Sequence, residues 1–107
     1  MPFIDTSTLN SKEILPGYIL RTIHTGNMTF AFLNVTANAK IADHAHPHEQ
    51  VSQVIKGRFE LTVNGETKIL EPGIIAVIPP HAKHSGKAIT DCELLDVFLP
   101  EREDYKF

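Results

Sequence analysis

Short runs of β-branched and aromatic residues, each closed off by Gly, Pro or Asn, fill this chain, and no segment carries apolar spacing for a helix of useful length. That pattern predicts an all-β domain. Strands are expected at Tyr18–Thr25, Met28–Val35, Lys40–His44, Gln50–Lys56, Phe59–Val63, Thr67–Leu70, Ile74–Ile78, Lys83–Ile89 and Glu93–Leu99. The segments "TGN" (Thr25–Asn27) and "NG" (Asn64–Gly65) read as hairpin turns. Many short strands at regular spacing point to a sandwich or barrel. The charged end, "EREDYKF", reads as a short helical tail or a loop.

A length of 107 residues fits a single domain, 1–107. A net charge of −3 lacks the basic stripe of a nucleic-acid binder, so no nucleic-acid partner is expected. The longest apolar run, "IIAVIPP", is too short for a membrane span, and "MPFIDTSTLN" has neither the basic nor the apolar region of a signal peptide. The lone Cys92 forms no internal disulfide and suits a reducing cytoplasm.

Within this frame, "DHAHPHEQ" (Asp43–Gln50) crowds three of the six histidines into five residues. In extended chain, side chains two apart share a face, so His44, His46, His48 and Gln50 project together. Pro47 argues against a helix here and biases His46 toward extended geometry. Neutral imidazoles suit a divalent transition metal, with further donors required from elsewhere. His84, in "GIIAVIPPHAKHSG", lies at the mouth of another predicted strand. Each histidine taken singly reads as a solvated loop residue.

The two segments together resemble the paired motifs of the cupins. His44-Ala-His46, three residues, Gln50, six residues and Gly57 keep the spacing of the first motif. Gly73, five residues, Pro79-Pro80-His81, two residues and His84 keep that of the second. Four departures stand out: Ala39 at the leading glycine, Gln50 for a glutamate, His81 for a glycine and Ala88 for an asparagine. The resemblance implies a single-domain cupin, a jelly-roll β-barrel or double-stranded β-helix, with His44, His46, Gln50 and His84 as metal ligands. Ni, Zn, Fe, Mn and Cu all remain open by ligand type. His48 and His81 fall outside the ligand spacings; His24 reads as a partly buried structural residue.

The far end narrows the resemblance. Asp96 and Phe98 share parity on the last predicted strand, and a carboxylate in such an apolar run is unusual. "DVFLPEREDY" (Asp96–Tyr105) looks like the ending of the KdgF family of cupins, which linearise 4,5-unsaturated uronates from pectin and alginate breakdown. That likeness implies catalytic roles for Asp96 and Arg102, with Phe98 and Arg102 contacting an anionic sugar acid. Arg58 and Gln53 are weaker candidates for substrate contact, and a homodimer is expected. Two rival readings stand: a cupin dioxygenase sharing the ligands, and a non-catalytic sugar-binding or regulatory cupin.

Overall fold

The computed structural model describes residues 2–107 and is built from ten antiparallel strands in two sheets. The strands are β1 (Lys12–Leu15), β2 (Tyr18–His24), β3 (Thr29–Val35), β4 (Lys40–His44), β5 (Glu49–Lys56), β6 (Phe59–Val63), β7 (Glu66–Leu70), β8 (Ile75–Ile78), β9 (His84–Ala88) and β10 (Cys92–Leu99). One sheet runs β1-β2-β3-β10-β5-β8 and the other β4-β9-β6-β7. All nine predicted strands are present to within one or two residues at their ends. β1 was not foreseen, because "KEIL" is too short and too charged to alternate visibly. The terminal segment is a 3-10 turn, Glu103–Tyr105.

Turn chemistry sets the register. Asn64 (φ 48) and Gly65 (φ 84) supply the two positive φ angles of a tight hairpin, so β6 and β7 pair without slippage from Val63↔Glu66 to Phe59↔Leu70. β10 lies centrally between β3 and β5, and its burial alternates residue by residue. Cys92, Leu94, Asp96 and Phe98 face inward. From the neighbouring strands come Leu20, Ala31, Leu33 and Val54, and from the opposite sheet Phe59, Leu61 and Ala88. Burying such side chains contributes roughly 1.5–3 kcal/mol each for the larger ones.

Two non-glycine residues adopt the left-handed conformation at or beside the positions expected for motif glycines: His81 (φ 67), as expected, and Asn38 (φ 73) in place of the expected Ala39. The leading glycine position is thus filled by Asn38, one residue before Ala39. Asn is among the few residues that tolerate this region. His81 uses its strained backbone to donate its N–H to the His46 carbonyl at 2.8 Å, tying the second motif to the first.

The outer face of the six-stranded sheet is markedly apolar. Ile55, Ile75, Val77 and Leu99 are each about half exposed or more, from 48% to 62%. They cluster on β8, β5 and β10, and β8 has a free edge. Among the described residues, no helix is long and apolar enough to cross a membrane.

Candidate metal centre and cavity

The barrel mouth gathers three histidines from three places in the chain. His44 closes β4, His84 opens β9, and the two sit opposite each other in register. His46 follows in the loop after β4 and is buried. One ligand atom of each lies within 4.8 Å of the others, and the His44 and His84 rings approach to 4.1 Å between centroids. Pro47 keeps this loop out of a helix, as the sequence implies, and β5 begins at Glu49 with Gln50 facing in.

Backbone carbonyls dictate the tautomers. The Nδ1 of His44 faces the Ala42 carbonyl at 2.9 Å, that of His84 the Ala82 carbonyl at 2.8 Å, and that of His46 the His48 carbonyl at 3.1 Å. Each Nδ1 therefore carries the proton and donates, leaving three Nε2 lone pairs for the centre. His84 Nε2 is buried without a partner.

His46 Nε2 meets Gln50 Oε1 at 2.9 Å. The amide orientation is set by its other side, where Gln50 Nε2 donates to Ser52 Oγ at 2.9 Å and to Asp96 Oδ2 at 3.3 Å. Two acceptors thus face each other. A neutral His46 cannot satisfy both its carbonyl and this amide oxygen in either tautomer. An imidazolium would, but burial holds His46 down to about 4, and the Arg102 and His84 charges push the same way. Burial likewise lowers His84, with His44 and Arg102 adding to the effect. A cation shared by Nε2 and Oε1 resolves the conflict. The residues present therefore fit a divalent metal held by His44, His46, His84 and Gln50, a donor set with no charge of its own.

Beside this cluster lies a small cavity, partly open to solvent and lined by Gln50, Ser52, Asp96, Phe98, Arg102 and Tyr105 among others. Burial pushes the Asp96 carboxyl up to about 6, against the Ser52 hydrogen bond, the Arg102 charge and the Gln50 amide, which pull it down. Its Oδ1 is buried with no partner. Asp96 is thus a buried carboxyl held above its usual range, within 3.3 Å of the Gln50 amide nitrogen.

Arg102 returns over the mouth after Pro100. Its guanidinium carbon sits 3.9 Å from the Tyr105 ring centre and 4.9 Å from that of Phe98. Asp104 accepts from Nε at 3.1 Å and from Nη2 at 2.6 Å, and the Arg102 side chain is only 12% exposed. The same pairing holds the Asp104 carboxyl below its usual range. Phe98 lies almost wholly buried beneath, edge-on to His46 at 5.5 Å.

The structure brings together His44, His46, Gln50, His84, Asp96, Phe98 and Arg102. Gln53 borders the cavity but is out of phase with the inward-facing Gln50, Ser52 and Val54. Arg58 is not brought there. It follows Gly57 at the opposite end of β5, about 20 Å of extended strand from Gln50. There it pairs with Glu71 at 3.6 Å, both side chains about half exposed. Sequence reasoning missed Ser52, Asp104 and Tyr105. Ser52 was detectable, being two residues from Gln50 on the same face of β5, and Asp104 and Tyr105 close the "DVFLPEREDY" segment, where only their roles went unread.

Residues 31–98 match the cupin domain family. Over 64 residues the chain is 31% identical to the pectin degradation protein KdgF of Dickeya dadantii (strain 3937), a match covering 58% of this chain and 58% of that protein. The match thus spans little more than half the length of that relative. Among solved structures, KdgF from Halomonas sp. superposes with a TM-score of 0.92 at 28% identity, over 99% of each chain. An RmlC-like cupin from Shewanella frigidimarina NCIMB 400 gives 0.92 at 29% identity, over 99% of this chain and 96% of the other.

Proposed function

The chain belongs to the cupin domain family, and on that premise we propose that it is a metal-dependent enzyme that opens and ketonises 4,5-unsaturated uronates. The products are linear 4-deoxy-5-keto uronates. The observation that carries this reading is the Asp96 carboxyl, buried with one free oxygen, sharing a cavity with Arg102 and the three-histidine cluster. Likeness to KdgF proteins, one of them described as acting in pectin degradation, supports the substrate class. Substrates derived from alginate carry the same reacting atoms and fall under the same proposal.

The residues divide the work. Arg102 pairs with the uronate carboxylate, its guanidinium held over the Tyr105 and Phe98 rings at the wall of the cavity. Phe98 forms the apolar floor of that end. Asp96, ionised, takes the proton of the anomeric hydroxyl. The bond from C1 to the ring oxygen breaks, its electron pair leaves on that oxygen as an enolate, and C1 becomes an aldehyde. The protonated Asp96 then returns the proton to C4, giving the C5 ketone. No atom is gained or lost. His44, His46, His84 and Gln50 would hold a divalent ion here, and such an ion would supply Lewis-acid stabilisation of developing negative charge, with no carboxylate among its donors.

We further propose that the protein works as a homodimer in the cytoplasm. The half-exposed apolar residues of β5, β8 and β10 support the first, and the free, buried Cys92 suits the second.

The test uses the ultraviolet absorbance of the conjugated enol ether, which the linear ketone lacks. Metal-loaded protein is expected to accelerate its loss from an unsaturated galacturonate monomer. Asp96→Asn is expected to remove roughly 10²- to 10⁴-fold of that acceleration with bound metal unchanged. Decay at the spontaneous rate with each of several divalent metals would sink the assignment.

A further inference from the structure

The segment that carries Arg102 is fastened by polar groups from one hairpin. Arg102 N–H donates to Thr29 Oγ1 at 2.9 Å. His24 Nδ1 lies 2.8 Å from the same hydroxyl, and His24 Nε2 lies 3.3 Å from the Tyr105 carbonyl. Thr22 Oγ1 donates to that carbonyl too, at 3.3 Å. At the turn between β2 and β3, Gly26 N–H donates to Glu101 Oε2 at 2.7 Å. Lys106 then closes the segment on itself, bonding Glu101 at 3.0 Å and Glu103 at 3.1 Å. Every tie to the barrel in this set comes from residues 22–29.

The donors and acceptors can be assigned. The Tyr105 carbonyl can only accept, so His24 Nε2 carries the imidazole proton and donates. In the neutral imidazole Nδ1 is then a lone pair, and the Thr29 hydroxyl turns its hydrogen toward it. This leaves the hydroxyl's oxygen to accept from Arg102 N–H. The result is a directional chain: Arg102 amide to Thr29, Thr29 to His24, His24 to the Tyr105 carbonyl. Thr29 is 0% exposed, so water cannot replace a lost partner.

We propose that His24 and Thr29 are positioning residues that fix the register of the Glu101–Lys106 strap, and thereby where the Arg102 guanidinium stands in the cavity. The inference rests on the reading of Arg102 as the group that binds the substrate carboxylate. Apolar packing alone would hold the strap down but leave it free to slide. A buried hydroxyl bonded at both ends fixes the amide of Arg102 itself, one residue's length from the side chain that matters. Tyr105, held by its carbonyl, fixes the ring on which the guanidinium stacks. Both partners in that stack are thus set by the same imidazole–hydroxyl pair.

A double-mutant cycle between Thr29 and Arg102 tests this, with Thr29→Ser as the conservative control. Thr29→Val is expected to raise KM for the unsaturated uronate about tenfold with a smaller effect on kcat. Thr29→Ser should stay within twofold of wild type. In an Arg102→Ala background, Thr29→Val should add less than twofold. An equal loss in both backgrounds, or a Thr29→Val enzyme indistinguishable from wild type, overturns the proposal. A second readout needs no substrate. Amide exchange of the metal-loaded full chain should show the Arg102 N–H losing at least tenfold of its protection in Thr29→Val and His24→Ala, and keeping it in Thr29→Ser. Unchanged protection in both overturns the latch whatever the kinetics. Lost protection in a protein that never turns over a uronate upholds the latch and condemns the proposed reaction instead.

Discussion

Gln50 sets the character of the site. It offers an oxygen to the space shared with His46 and spends both amide hydrogens on Ser52 and Asp96. Replacing it by glutamate would place a carboxylate against Asp96 and add a negative charge among the neutral donors. Gln50→Glu is therefore expected to retain metal more tightly through dialysis and to turn over unsaturated uronate at least about tenfold more slowly. Metal analysis and the absorbance assay together check both halves. Ser52 deserves the parallel logic on a smaller scale, since its hydroxyl is what orients the amide.

At the scale of elements, loop backbones carry the stress. Gly57 (φ 94) turns β5 into β6 against the Asp91 carbonyl, and a Cβ there would collide with it. Gly57→Ala should cost at least about 2 kcal/mol, read as a lower unfolding midpoint, through strain and the clash together. His81 presents the converse case. A solvent-exposed residue sits in the left-handed region, so His81→Gly is expected to raise stability by about 0.5–1 kcal/mol, net of the chain entropy glycine loses. These positions also mark what was legible in the sequence. The strands were readable because inward and outward residues alternate, as along β10, where Asp96 stands out as the one charged residue on the buried side. The clustering of His44, His46 and His84 was readable because the motif spacing survives even where left-handed positions carry Asn38 and His81. The strap was not. Its position depends on hydrogen bonds to Thr22, His24 and Thr29 across more than seventy residues of chain, and no periodicity encodes that. The misplacement of Arg58 has the same root: strand adjacency in sequence says nothing about which end of the barrel a turn occupies.

For the molecule as a whole, the proposed metal and the proposed dimer would both act on stability. A cation that binds only the folded chain adds about 2.7 kcal/mol at a hundredfold excess over its dissociation constant. Chelation is thus expected to lower the melting temperature by about 10 °C or more for a chain of this size, as calorimetry with and without chelator would show. The apolar sheet face makes a separate demand. Val77→Lys, at the free β8 edge, is expected to convert a sedimenting dimer to a monomer while leaving the metal content intact. The distance between the two ends of β5 has a practical consequence. A nitroxide attached at position 58 would lie far enough from the histidines to leave the chemistry alone. It would still be near enough, at about 20 Å, for a paramagnetic ion to quicken its spin relaxation. The relaxation rate of that label would thereby distinguish the metal-loaded from the metal-free form of the proposed centre.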